Sequence, residues 1–180
     1  MTLSNEEGSL RHSKGPASRR IIGSRIIGID PGLASTGWGI VDTLSNKIKY
    51  VAHGCIETKA GCPRAERLFL IYTQIREVIR EYSPQEAAIE TLYFAKNVTS
   101  AIPVAEARGV LSVAMAKSGI LVREFTPLAI KQAIVGAGRA EKEQVQEMVR
   151  LILGLTEIPK PDHAADALGA AICAANTVMI

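Results

Sequence analysis

The stretch that decides the fold is Arg25-Ile-Ile-Gly-Ile-Asp-Pro-Gly-Leu-Ala-Ser-Thr-Gly-Trp-Gly-Ile-Val-Asp42. Its apolar run, residues 26–29, predicts a short strand that is buried on both faces. Asp30 ends this strand, and a carboxylate there must be paired, hydrogen-bonded or bound to a cation, because an isolated buried charge is very costly. Pro31-Gly32 then predicts a sharp turn into a second extended segment. Taken alone, Asp30 is explained equally well as a turn-capping residue.

The remaining chain predicts one α/β domain. Apolar runs between turn residues predict four further strands, over residues 35–42, 47–57, 86–90 and 120–125, with Asn46 at the first of the turns between them. Helical spacing of apolar residues predicts five helices, over residues 64–82, 98–118, 127–135, 140–153 and 162–175. Asn97 or Thr99 would cap the second helix, and Asp162 the last. We therefore expect a mixed sheet, with three antiparallel-type strands at the N-terminus and two further strands, flanked by helices.

The net positive charge of the chain is concentrated at the N-terminus. Residues 1–25 hold five basic and two acidic residues, so the 16 basic and 16 acidic residues that remain leave the body formally neutral. Local patches would therefore have to meet any polyanionic partner. The segment 1–25 is rich in Ser, Gly and Arg and predicts a flexible arm. Nonspecific attraction to nucleic acid, a solubilising leader and a cloning remnant all remain open as its role.

The cellular compartment is indicated by what the sequence lacks. No stretch approaches the roughly 18–20 apolar residues of a membrane span. The N-terminus has no apolar core of a secretion signal, so we expect a cytoplasmic protein without membrane contact. Cys55, Cys62 and Cys173 are an odd number without paired spacing, which favours reduced thiols over disulfides or a zinc site.

Four side chains indicate a metal site. Asp30 and Glu90 each end an apolar strand, and adjacent parallel strands can place both carboxylates at one edge of a sheet. His163 and Asp166 lie three residues apart at the start of the last helix, so they share a face. Clustered carboxylates repel one another, and hard divalent cations such as Mg²⁺ relieve the repulsion. Two such ions can catalyse phosphodiester hydrolysis.

Several motifs, in order and spacing, resemble those of RuvC-type Holliday junction resolvases. They are Gly28-Ile-Asp-Pro-Gly32, Ala88-Ile-Glu90 with Tyr93-Phe-Ala-Lys-Asn97, Glu106-Ala-Arg-Gly109, residues 136–147 and His163-Ala-Ala-Asp-Ala-Leu168. The resemblance spans about residues 26–175. It implies an RNase H-like nuclease domain over residues 26–180, behind the arm of residues 1–25. The implied activity is magnesium-dependent resolution of four-way DNA junctions in recombination and repair.

The resemblance also implies the metal ligands. Asp30, Glu90 and Asp166 correspond to metal-binding carboxylates, with two Mg²⁺ ions per subunit. His163 stands where the family often has Asp, and we expect it to be the fourth ligand, with Asp162 as the alternative. Imidazole is a softer ligand than carboxylate, so Mn²⁺ is expected to substitute for Mg²⁺.

DNA contacts and partners are further implications of the resemblance. DNA-contacting roles fall on Tyr93, Lys96, Lys131, Arg139 and Lys142, with Tyr93 or its neighbour Phe94 stacking on an unpaired base. From the residues alone, a core aromatic and solvated helix lysines are the simpler interpretations. The small residues of the 98–118 helix (Ala101, Ala105, Ala107, Gly109, Ala114) imply a homodimer interface, although they also suit a monomer core. A branch-migration helicase complex of the RuvA and RuvB type is the implied protein partner.

Three other functions compete with this interpretation. An actin-like or sugar-kinase nucleotide-binding lobe opens with a similar Gly-Ile-Asp-x-Gly strand, but it needs a second lobe for which 180 residues leave no room. A related RNase H-like nuclease acting on RNA or on other branched nucleic acid fits the same carboxylates. A junction-binding relative without catalytic activity is the third alternative.

Overall fold

The computed structural model describes residues 23–45, 47–91 and 98–178, the side chains of 98–100 and 178 excepted. Within these ranges the order of the elements confirms the predicted order, and their ends lie within three residues of the predicted ones. The strands are β1 (Ser24–Asp30), β2 (Ser35–Leu44), β3 (Lys47–Glu57), β4 (Glu86–Glu90) and β5 (Leu121–Phe125). The helices are α1 (Arg64–Tyr82), α2 (Val98–Lys117), α3 (Pro127–Val135), α4 (Lys142–Leu153) and α5 (Asp162–Val178).

The five strands form one mixed sheet in the order β3-β2-β1-β4-β5. β1 pairs antiparallel with β2, and β2 pairs antiparallel with β3. β4 lies parallel to β1 and to β5. The register pairs Ile29 of β1 with Ile89 of β4. The next residue of each strand, Asp30 and Glu90, therefore lies at the same carboxyl edge of the sheet.

Helices cover both faces of the sheet. Because side chains alternate along β1, successive residues pack against helices on opposite faces. Ile27 and Ile29 belong to the buried cluster that includes α1 and α2. Ile26 belongs to the cluster that includes α3, α4 and α5, as does Ala88 of β4. Since side chains alternate between the faces of a strand, Asp30 and Glu90 lie on the α5 side.

α5 lies directly on the sheet because glycines leave room for its backbone. A Cβ atom added at Gly28 would overlap the carbonyl oxygen of Ala167, and one added at Gly37 would overlap that of His163. The helix contributes mainly alanines to this contact, and Ala164 and Ala171 are completely buried. This close packing fixes the first turns of α5 above the ends of β1 and β2.

The predicted boundary between the arm and the first strand needs correction. β1 begins at Ser24, so the sheet includes the last two residues of the predicted arm. Arg25 is held there because its guanidinium pairs with Asp42 at 2.7 Å and donates to the carbonyl of Tyr82 at 2.8 Å. The rest of the arm, residues 1–22, lies outside the described residues.

The predicted cap of α5 is corrected, and one of the two predicted caps of α2 is excluded. Asp162 is the first residue of α5 and not its cap, because the carbonyl of Pro161 already accepts from the backbone N–H of Ala164 at 2.9 Å. Thr99 lies inside α2, and Asn97 lies outside the described residues. Among the helices that the structure describes, none combines the length and apolar character needed to cross a membrane.

Candidate metal centre

Three of the four predicted ligands meet at the carboxyl edge of the sheet. Asp30, His163 and Asp166 each offer one ligand atom, and these atoms all lie within 4.8 Å of one another. β1 supplies Asp30, while the first two turns of α5 supply the other two. Nδ1 of His163 lies 2.6 Å from Oδ2 of Asp30, and the His163 side chain is 47% exposed. The group is therefore preassembled and open to solvent on its histidine side.

Glu90 lies outside that group of three but is affected by the same charges. Burial raises its pKa from 4.5 to about 7, and the charges of Asp30 and Asp166 add to the rise against an opposing effect of Lys131. Burial also raises the pKa of Asp30, although its hydrogen bond to His163 opposes the shift. Negative charge is thus concentrated where solvent screening is weak. A divalent cation would relieve this repulsion, and three carboxylates with one imidazole suit Mg²⁺ or Mn²⁺.

A cavity of about 230 Å³ adjoins these carboxylates. Residues of α3, α4 and α5 form most of its walls, and the lining includes two carboxylates and two lysines. Its lining residues are Glu90, Pro127, Ile130, Lys131, Lys142, Val145, Asp166 and Gly169. The combination of acidic ligands and cationic side chains around one opening suits a phosphodiester bound to metal ions.

The structure places both predicted DNA-contacting lysines at this cavity. Nζ of Lys142 lies 3.2 Å from Oδ2 of Asp162 and 3.2 Å from Oδ2 of Asp166. Nζ of Lys131 donates to the backbone carbonyl of Ala140 at 2.7 Å. Each lysine makes a specific contact that the interpretation of two lysines on a solvated helix face does not include, although the Lys142 side chain is 48% exposed.

Of the other predicted DNA contacts, only Arg139 lies among the residues that the structure describes. Arg139 is exposed in the turn between α3 and α4 and is not part of the cavity lining. Tyr93, Phe94 and Lys96 lie outside the described residues. A DNA contact stays a prediction at these four positions, as it does at Lys131 and Lys142.

Sequence reasoning missed residues that position the first turn of α5. The imidazole of His53 on β3 lies beside the backbone of Lys160, two residues before α5, and its Nδ1 lies 2.9 Å from the hydroxyl of Tyr50. Burial lowers the pKa of His53, against the opposing effect of the Lys160 backbone. Gly37 is the second missed residue. Its spacing of two from Gly39 was an available signal, since it leaves one strand face without side chains.

Comparison with known proteins identifies the family. Residues 26–174 match the family model described as crossover junction endodeoxyribonuclease RuvC. This chain belongs to the RuvC family. RuvC of Treponema denticola is 52% identical over 163 residues, which cover 91% of this chain and 92% of that protein. RuvC of Chloroflexus aurantiacus is 51% identical over 153 residues, which cover 85% and 93% respectively.

A solved structure agrees with the family assignment. The structure described as T. thermophilus RuvC in complex with Holliday junction substrate matches with a TM-score of 0.81 and 35% identity, covering 87% of this chain and 96% of that one. The match confirms the predicted RNase H-like fold, a mixed five-stranded sheet flanked by helices. Membership of the RuvC family also decides against a nucleotide-binding lobe of the actin or sugar-kinase type.

Proposed function

We propose that this protein resolves four-way DNA junctions by metal-dependent hydrolysis of two symmetrically placed phosphodiester bonds. The observation that carries the proposal is the convergence of Asp30, His163 and Asp166 within 4.8 Å, beside Glu90, in a chain of the RuvC family. A nuclease needs such a group, whereas a relative that only binds junctions does not. The complex of T. thermophilus RuvC with a Holliday junction supports the choice of DNA substrate.

Asp30, Glu90, His163 and Asp166 would hold the metal, for which we propose two Mg²⁺ ions per subunit with Mn²⁺ as a substitute. When bound, such ions activate the attacking water and stabilise the leaving oxygen. The protein itself contributes the positions of the metal ligands. Asp30 and Glu90 extend from two hydrogen-bonded strands, and His163 and Asp166 from a helix whose backbone is fixed against Gly37. Rigid elements of this kind hold ligands more precisely than loops do.

DNA phosphates would meet cationic side chains beside the metal ligands. Lys131 and Lys142 are proposed phosphate contacts because both border the cavity that Glu90 and Asp166 also line. Arg139, exposed at the adjacent turn, would extend this surface. Tyr93 is proposed to stack on an unpaired base at the crossover, and Lys96 to contact the backbone near it.

A homodimer is proposed through the exposed side of α2. The small residues of this helix lie on two different sides. Ala107 and Ala114 are buried in the core, while Gly109 is exposed. On the exposed side, Ile102 is 47% and Val113 is 61% accessible. A second copy covering this face would place two active sites about a twofold axis, which suits a junction with two equivalent strands. The RuvA and RuvB type helicase complex stays a partner predicted from the family.

The proposal is tested by Asp30→Asn, which removes a ligand charge and keeps the shape of the side chain. Cleavage of a four-way junction in Mg²⁺ should be abolished, while junction affinity measured in EDTA should stay within about threefold because phosphate contacts are retained. Asp42→Asn is the matched control. It makes the same chemical change on the neighbouring strand, where the carboxylate pairs with Arg25 and not with a ligand, so cleavage should persist. If Asp30→Asn cut the junction at the wild-type rate, the metal site would be wrongly assigned.

A further inference from the structure

Lys142 connects the metal centre with the DNA-contacting surface. It is the first residue of α4, and its ammonium lies between two carboxylates of α5 that are one helical turn apart. Asp166 is one of the three grouped ligands, whereas Asp162 is not. One cation therefore contacts both a proposed metal ligand and a carboxylate with no such role.

An ammonium in this position competes with a divalent ion. A carboxylate that accepts a hydrogen bond from an ammonium has part of its charge neutralised, and the ammonium repels a cation that approaches the same group. The charge of Lys142 reaches further than Asp166. It helps to lower the pKa of Asp30, although burial gives that pKa its net rise. Lys142 and a metal ion would thus be stabilised by the same carboxylates.

The contact between Lys142 and Asp166 can be broken at low cost. The Lys142 side chain is 48% exposed, and that of Asp162 is 65% exposed, so the ammonium remains hydrated when it moves. Lys131 differs, because its ammonium is bound to the backbone carbonyl of Ala140 and touches none of the grouped ligands. The two lysines of one cavity are therefore unequal with respect to the metal.

We propose that a divalent ion binding at Asp166 displaces the Lys142 ammonium, which Asp162 then retains at the rim of the cavity, within reach of a DNA phosphate. The inference rests on the proposed function and adds to it a coupling between metal binding and junction binding. Metal binding would strengthen junction binding through one side chain. Reciprocity then requires junction binding to strengthen metal binding by the same factor.

The test is a calorimetric titration of Mn²⁺ into the DNA-free protein, where no cleavage can occur. Lys142→Met should lower the Kd for Mn²⁺ by about fivefold or more, the lower end of typical coupling between sites. Lys142→Arg, which keeps the charge, should bind Mn²⁺ like the wild type. Lys131→Met is the matched control and should change the Kd much less. An unchanged Kd in Lys142→Met would overturn the proposal, and so would equal tightening in both methionine variants, because that result indicates a general charge effect.

A second measurement separates this inference from the proposed function. Junction affinity is measured with and without Ca²⁺, with strand integrity checked on denaturing gels. The gain in affinity on adding Ca²⁺ should be smaller in Lys142→Met than in the wild type. If the wild type cleaves junctions but the gain is the same in both proteins, only the displacement is refuted. If the wild type neither binds nor cleaves junctions, the proposed function itself fails.

Discussion

Replacing Glu90 by Gln should stabilise the metal-free protein at alkaline pH even though it removes a proposed ligand. Burial and the charges of Asp30 and Asp166 raise the pKa of Glu90 from 4.5 to about 7. Because the folded state binds this proton more tightly than the unfolded state, the resulting stability is fully present below pH 4.5 and is lost as the pH rises through about 7. Gln keeps the shape of the side chain without the charge, so the variant escapes this loss.

The size of the effect follows from the pKa of Glu90. A rise from 4.5 to about 7 sets a ceiling of roughly 3 kcal/mol on the free energy lost at high pH. Glu90 is partly exposed, and solvent screening reduces the expected loss to about 1–2 kcal/mol. For a protein of this size, each kcal/mol moves Tm by about 2–4 °C. The variant should therefore melt roughly 2–8 °C above the wild type at pH 8.

Thermal melts in EDTA between pH 5 and pH 8.5 check this expectation. The difference in Tm should be small at pH 5 and should grow as the pH rises. Glu86→Gln, the same change at the other end of β4, is the control, and it removes a carboxylate that pairs with Arg123 at 3.6 Å. It should not stabilise the protein. Saturating Mg²⁺ should favour the wild type, since a ligand stabilises the state that binds it best. If Glu90→Gln melted at or below the wild-type temperature at pH 8 in EDTA, the repulsion argument would be refuted.

The remaining predictions concern the packing of α5 on the sheet, the fourth metal ligand and a DNA contact. Gly37→Ala should reduce cleavage about 100-fold, because displacing a ligand by about 1 Å costs that much. Gly61→Ala, whose new Cβ meets nothing within 4 Å, should remain active, and equal activity of the two variants would refute the reasoning. His163→Ala should cost much more activity than Asp162→Ala, and the reverse order would mean that the fourth ligand is assigned to the wrong neighbour. Lys131→Met should flatten the slope of log junction affinity against log salt by about one, whereas an unchanged slope would make Lys131 a surface lysine without a phosphate contact.

The fold was predictable because its decisive segments carry strong local patterns. The strand ending at Asp30 and the strand ending at Glu90 are short apolar runs bounded by turn residues, and the structure has both where they were expected. The start of β1 was not predictable from such a pattern. Arg25 belongs to the sheet because of its contacts with Asp42 and Tyr82, which are distant in the sequence.

The sequence predicted which proposed ligands would lie together but not which side chains would pair with them. Strand ends paired Asp30 with Glu90, and a helical spacing of three paired His163 with Asp166. The resemblance to RuvC-type resolvases implied that both pairs belong to one site. The pairing of Lys142 with Asp166 joins residues 24 positions apart on two packed helices, so no spacing rule indicates it. The error at Asp162 has the same origin. Its type suits a helix cap, but α5 begins at this residue and the carboxylate contacts the Lys142 ammonium.

The most direct test of the proposed function compares three substrates. The wild-type protein is incubated with a mobile four-way DNA junction, a linear DNA duplex and an RNA–DNA hybrid, each with Mg²⁺ or with EDTA. We expect paired nicks in the junction in Mg²⁺ only, with the duplex and the hybrid left intact. Cleavage of the hybrid in preference to the junction, or junction cleavage that persists in EDTA, would contradict the assignment of a metal-dependent junction resolvase.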